Sequence, residues 1–146
     1  MPIEYVSGGT KDLLANAHEV QALVHDCTTN GEMDVEFRLR FRAMREEVEY
    51  LARANSSRFD LGELVLWKGQ GKPWIFTLAT RTACYSRGTF SYEAAETALA
   101  RVREQADAEG VTSMAVAPIS YDATQMRPIL ERIFADWPGR LVVYGI

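Results

Sequence analysis

Short runs rich in β-branched and aromatic residues alternate with helical stretches along this chain, and that alternation fixes the class of fold it can reach. Residues 34–53 carry Phe37, Phe41, Met44, Val48 and Leu51 at steps of four and three, one stripe on one helix. Residues 91–109 repeat the pattern with Tyr92, Ala95, Leu99, Val102 and Ala106. There Ser91 is placed to cap the start and Gly110 to stop the end. A third helix carries Met126, Ile129, Leu130 and Ile133. Between these lie apolar runs at 3–6, 22–27, 64–67, 74–78, 114–117 and 141–144, which read as strands. The pair 64–67 and 74–78 flanks Lys68-Gly69-Gln70-Gly71-Lys72-Pro73, an antiparallel hairpin with a glycine-rich turn. The order β-β-α-β-β-α-β-α-β predicts an α/β fold, a mixed and largely parallel sheet covered by helices on both faces.

Composition narrows the class. The chain has 146 residues, 47% hydrophobic and 25% charged, and is expected to form one domain over 1–146. Sixteen Lys and Arg against twenty Asp and Glu give a formal charge of −4, without the basic footprint of a general nucleic-acid binder. No apolar stretch would span a bilayer, and the opening Met1-Pro2-Ile3-Glu4 lacks a signal-peptide pattern. Cys27 and Cys84 stand far apart, which points to a reducing cytoplasm rather than to a disulfide framework. With His18 and His25 as the only histidines, the sequence implies no metal site and no cofactor.

Parallel strands place ligands outside their carboxyl ends. Three loops can meet there: residues 27–34, 80–89 and 118–122. Residues 22–36 align without gaps to the N-T-V-N-x-x-G-x-M-G-K-G pattern of macro domains, with Gly31 and Met33 in place. His25 and Thr28 replace the two asparagines, Asp34 and Glu36 the last glycines, and Val35 the lysine. Ile3-Glu4-Tyr5-Val6-Ser7-Gly8 resembles the family's first strand, with Asp12 as a displaced adenine-reading aspartate. Leu78-Ala79-Thr80-Arg81 is similar to F-P-T-K, Ser91-Tyr92 to E-Y, and Arg127-Pro128-Ile129-Leu130-Glu131 to R-P-L-I-E. Where the family has a second glycine-rich loop, this chain has Ser120-Tyr121-Asp122-Ala123-Thr124. The chain thus resembles a divergent macro domain of the branch that removes ADP-ribose from DNA. The resemblance implies a three-layer α/β/α fold and a ligand such as ADP-ribose, free or attached to a macromolecule. It also implies ligand contacts from Asp12, His25, Thr28, Gly31, Met33, Arg81, Tyr85, Ser120 and Tyr121.

Each residue also has a plainer role. Asp34 suits a helix N-cap and Glu36 a first turn, which would fill the backbone donors a diphosphate needs. His25 and Cys27 share one strand face; the histidine fits a pocket wall or a satisfied core position, the cysteine a small buried hydrophobe. Asp122 is the candidate catalytic residue, a carboxylate able to orient a water at the anomeric carbon, and it equally fits an N-cap. Arg81, Tyr85, Arg87 and Tyr121 offer cations and rings to a nucleotide, or decorate the surface. The 68–72 turn lacks P-loop spacing. Two functions follow: a site that binds an NAD-derived nucleotide and could hydrolyse an ADP-ribosyl bond, or an interaction module that kept the fold and lost the ligand.

Overall fold

A computed structural model describes residues 3–54, 59–70, 73–82, 90–119 and 122–145. Its strands are β1 (Glu4–Val6), β2 (Ala22–Thr28), β3 (Leu64–Trp67), β4 (Trp74–Arg81), β5 (Ser113–Val116) and β6 (Arg140–Tyr144). They form one sheet in the order β1-β6-β5-β2-β4-β3, parallel throughout except for the antiparallel β3–β4 hairpin. The mixed, largely parallel sheet is the one the alternation of elements predicts. Among the described residues no helix is long and apolar enough to cross a membrane.

Helices α1 (Thr10–Ala15), α2 (Val35–Arg40) and α3 (Arg42–Ala54) cover one face, and α4 (Tyr92–Glu109) and α5 (Ala123–Phe134) the other. Period-two alternation along β2 divides it between two cores: Ala22 and Val24 join the α4/α5 side, Leu23 and Cys27 the α1–α3 side. A strand buried on both faces has few places for polar groups, so those it carries near its end need partners from the protein or a ligand.

The single helix expected over 34–53 is two. Phe41 leaves helical geometry at φ −122° and ψ 66°, yet its amide still donates to the Phe37 carbonyl at 3.0 Å and its carbonyl accepts from Arg45 N at 3.0 Å. The bend keeps the hydrogen bonds and lets the Phe41 ring lie 5.9 Å from Phe37 and 6.4 Å from Trp67. Beyond it the buried stripe runs Met44, Val48, Ala52, a pure four-residue step, so Leu51 turns outward to 37% exposure. The sequence reading missed α1, whose six residues are too few to show periodicity. Its signals were local: Leu13 and Leu14 are buried together, and the Asp12 carboxylate accepts from Gly9 N at 2.9 Å across the first turn.

Phe41 is 4% exposed, whereas Leu39, two residues away on the other side of the bend, is 75% exposed. Phe41→Ala should therefore cost about 3–5 kcal/mol and Leu39→Ala under about 0.5 kcal/mol in urea denaturation. Similar costs for both would overturn the two-helix arrangement.

Candidate functional site

The carboxyl ends of β2 and β4 and the segment after β5 enclose a cavity of about 420 Å³. His25, Asp26, Thr28, Glu32, Asp34 and Arg81 supply most of its polar wall, with Met33, Phe37 and Ile119 among the apolar parts. A larger hollow of about 720 Å³ opens at the amino ends of the same strands, by His18, Gln21, Trp74 and Val111. In parallel sheets the carboxyl end is where ligand sites form, because loops there converge from several strands.

His25 lies flat on Phe37, ring centroids 4.0 Å apart and planes 7° from parallel. Its Nε2 is hydrogen-bonded to Thr77 Oγ1 at 2.7 Å, and that hydroxyl donates onward to Met44 Sδ at 3.6 Å. Nδ1 is buried and without a hydrogen-bond partner among the described residues. Burial lowers the His25 pKa to about 3, so the ring is neutral at any physiological pH. Cys27, 2% exposed on the same side of the strand, has its pKa raised well above the ordinary value by burial and by the Asp26 charge. It is a packed thiol and a poor nucleophile.

Asp26 points to the opposite face, and the sequence reading gave it no role. The β2–β4 register shifts between Cys27 and Thr28, skipping Thr80, and this irregularity brings the Thr80 hydroxyl to Asp26 Oδ2 as a donor at 2.6 Å. Arg81 Nε approaches the same oxygen at 3.4 Å, and its Nη2 donates to the Ile119 carbonyl at 3.1 Å. Burial raises the Asp26 pKa to about 6, although Thr80 and Arg81 pull it down. The available signal was a lone carboxylate inside a strand that carries no other acidic or basic group but His25.

The remaining predicted contacts separate. Thr28, Met33 and Arg81 line the cavity beside His25; Arg81 also sits 5.6 Å over the Phe90 ring. Gly31 lies outside the lining and shapes the loop instead. At φ +89° its amide donates to the Thr28 carbonyl at 2.9 Å, a conformation that a side chain would strain. Asp12 holds the start of α1 and contributes no lining; its neighbour Thr10 does. Asp122 is the N-cap of α5, accepting from Thr124 N at 3.1 Å, from the Thr124 hydroxyl and from Gln125 Nε2 at 3.2 Å, and is not part of the lining. These bonds hold its carboxyl below the usual range. Asp34 caps α2 through Glu36 N at 2.8 Å, as its residue type suggests. Tyr85, Ser120 and Tyr121 fall outside the described residues, as does Arg87.

No protein-family model matches the sequence, and no curated protein matches it either. Solved structures do. The macrodomain of Thermus aquaticus DarG superposes with a TM-score of 0.80 at 18% identity, over 97% of this chain and 96% of that one. The macrodomain of Mycobacterium tuberculosis DarG gives 0.77 at 22%, over 97% and 96%. Thermosipho africanus DarTG, solved in complex with ADP-ribose, gives 0.71 at 15%, over 86% of this chain and 38% of that one. The chain therefore has the macrodomain fold.

His25 and Asp26, neighbours in β2, have opposite pH signatures. His25 titrates near 6.5 when unfolded and about 3 when folded. As pH falls through that window the unfolded state gains a proton the native state refuses, and stability drops. Asp26 moves from 3.8 to about 6, so between those values the native state alone holds the proton and stability rises as pH falls. Each slope is about 1 kcal/mol per pH unit, and they offset one another between about pH 6 and 4. Asp26→Asn leaves the His25 slope uncompensated. Its stability relative to wild type should fall by about 1 kcal/mol per pH unit over that range, followed by urea denaturation. A pH-independent difference would overturn the assigned shifts.

Proposed function

We propose that this chain binds an ADP-ribose-type, NAD-derived nucleotide in the cavity at the carboxyl ends of β2 and β4. The observation that carries the reading is the cavity itself. A space of about 420 Å³ stands at the functional end of a macrodomain sheet, lined by a few convergent polar groups on an apolar floor. The likeness to a DarTG structure containing ADP-ribose supports the choice of ligand. In this reading Thr28 and Arg81, both in the lining, would make hydroxyl and phosphate contacts, and Met33 and Ile119 apolar ones.

The helix start beside the cavity is already occupied, because the Asp34 carboxylate holds the Glu36 amide. A phosphate there meets a carboxylate in place of a free donor, so affinity for ADP-ribose should be lower than an open glycine-rich loop allows. Asp34→Gly returns that donor at a capping cost of only a few tenths of a kcal/mol. It should tighten ADP-ribose roughly tenfold in calorimetric titration, about 1.4 kcal/mol. Unchanged or weaker binding by the folded variant overturns this account. Titration with AMP and NAD alongside identifies which part of the nucleotide is held.

The chemical extension of the reading is hydrolysis of an ADP-ribosyl bond on a nucleic acid, a protein or a small nucleoside. Val35 at the position of the family lysine offers no amine, so the reaction would use a water assisted by Asp122 and form no covalent enzyme intermediate. Asparagine still caps a helix but cannot take a proton. Asp122→Asn should therefore keep stability within about 0.5 kcal/mol and lose about 10²–10⁴ in rate. Activity that survives would leave Asp122 as a cap alone. No binding and no turnover in wild type would favour the interaction module.

A further inference from the structure

Arg81, a cation of the cavity wall, shares its charge with a carboxylate. Its Nε faces Asp26 Oδ2 of β2 at 3.4 Å, and its Nη2 donates to the Ile119 carbonyl beyond β5 at 3.1 Å. The same Asp26 oxygen accepts from the Thr80 hydroxyl at 2.6 Å. Asp26 and Arg81 both line the cavity, their side chains 12% and 28% exposed. Solvent and salt screen so enclosed a pair weakly, and the carboxylate cancels much of the field that the guanidinium offers to an anion.

A diphosphate in the cavity and the Asp26 carboxylate therefore compete for one cation, and they repel each other as well. Once Asp26 is protonated, both penalties vanish. Burial favours the protonated acid and raises its pKa to about 6, while the Thr80 hydroxyl and Arg81 pull it down. A phosphate brought close adds negative charge and favours the neutral acid further. His25 and Cys27 flank Asp26 in β2, and Glu32 and Asp34 also stand in the lining. Burial keeps the first two uncharged at mildly acid and neutral pH, with His25 lowered to about 3 and Cys27 raised well above its ordinary value.

Resting on the nucleotide-site reading above, we infer that Asp26 sets the affinity of this cavity for an anionic ligand: as a carboxylate it neutralises Arg81, and as the neutral acid it releases that charge to the diphosphate. Thr80 is the positioning residue, since its hydroxyl favours the carboxylate and so fixes the acidity at which release occurs. Binding of the anion then takes up a proton at Asp26, and it tightens as pH falls.

The test is calorimetric titration of the full chain with ADP-ribose and with adenosine, from about pH 7.5 down to about pH 5. The ADP-ribose diphosphate stays ionised over that range, and adenosine stays neutral. Wild type should bind ADP-ribose about five- to tenfold more tightly at the acid end, the change that one coupled proton supplies, and adenosine within about twofold. Asp26→Asn cannot ionise. At about pH 7.5 it should bind ADP-ribose about five- to tenfold more tightly than wild type, with less than about twofold change across the range. Thr80→Val removes the hydroxyl donor and should move the midpoint of the pH dependence up by about one unit, a shift that loss of packing alone would not produce. Thermal unfolding at each pH checks that the variants are folded, and Thr80→Val carries the test if Asp26→Asn is not. ADP-ribose bound equally at both ends of the range, or no more tightly by folded Asp26→Asn, overturns this inference and leaves the nucleotide site standing. An unmoved midpoint in Thr80→Val overturns the part given to Thr80. ADP-ribose bound by none of the folded proteins overturns the nucleotide-site reading, and this inference with it.

Discussion

The structure depends on β2 being buried from both sides at once. Placed between β5 and β4 in a parallel sheet, it gives alternate side chains to two separate cores. Leu23 and Cys27 go to one, Ala22 and Val24 to the other, and the strand cannot slip by a residue without exchanging every one of them. That rigidity is what makes the last turns of the strand useful. His25 and Asp26 occupy opposite faces of a frame that packing has fixed, and each is held by a residue of β4: Thr77 for the imidazole, Thr80 for the carboxylate.

The architecture was legible because it rests on periodicity, and periodicity survives in a single sequence. The stripe Tyr92, Ala95, Leu99, Val102, Ala106 lies along a helix with Ser91 as its cap and Gly110 as its left-handed stop, and all of its members but Tyr92 are fully buried. The bend at Phe41 was not legible, since Phe37, Phe41, Met44 and Val48 keep helical spacing through it and the backbone bonds continue across it. Only Leu51, exposed where the continuous stripe expects burial, betrays the change of direction.

The candidate site was legible at the level of loops and less so at the level of residues. Sequence pattern pointed to the ends of β2 and β4 and to the segment after β5, and His25, Thr28, Met33 and Arg81 do meet there. Asp26 was passed over because alternation assigns it to the far side of the strand from His25. It lines the cavity all the same, held by Thr80 of a strand 54 positions away in the sequence, a partner that alternation within β2 cannot reveal. Asp12 and Asp122 show the converse. Both are carboxylates near helix starts, where a cap and a ligand contact leave the same mark in a sequence, and both are drawn into backbone or neighbouring side-chain bonds.

One wall of the cavity is borne by a very short element. Helix α2 has six residues, fewer than an isolated helix needs to persist in water, and the Phe41 bend separates it from the longer α3. Of its residues Phe37 is the one fully buried, its ring laid on the His25 imidazole. Helix, aromatic stack and buried imidazole therefore pack as one unit beside the acidic rim, so that a change at Phe37 reaches the cavity through the ring laid on His25.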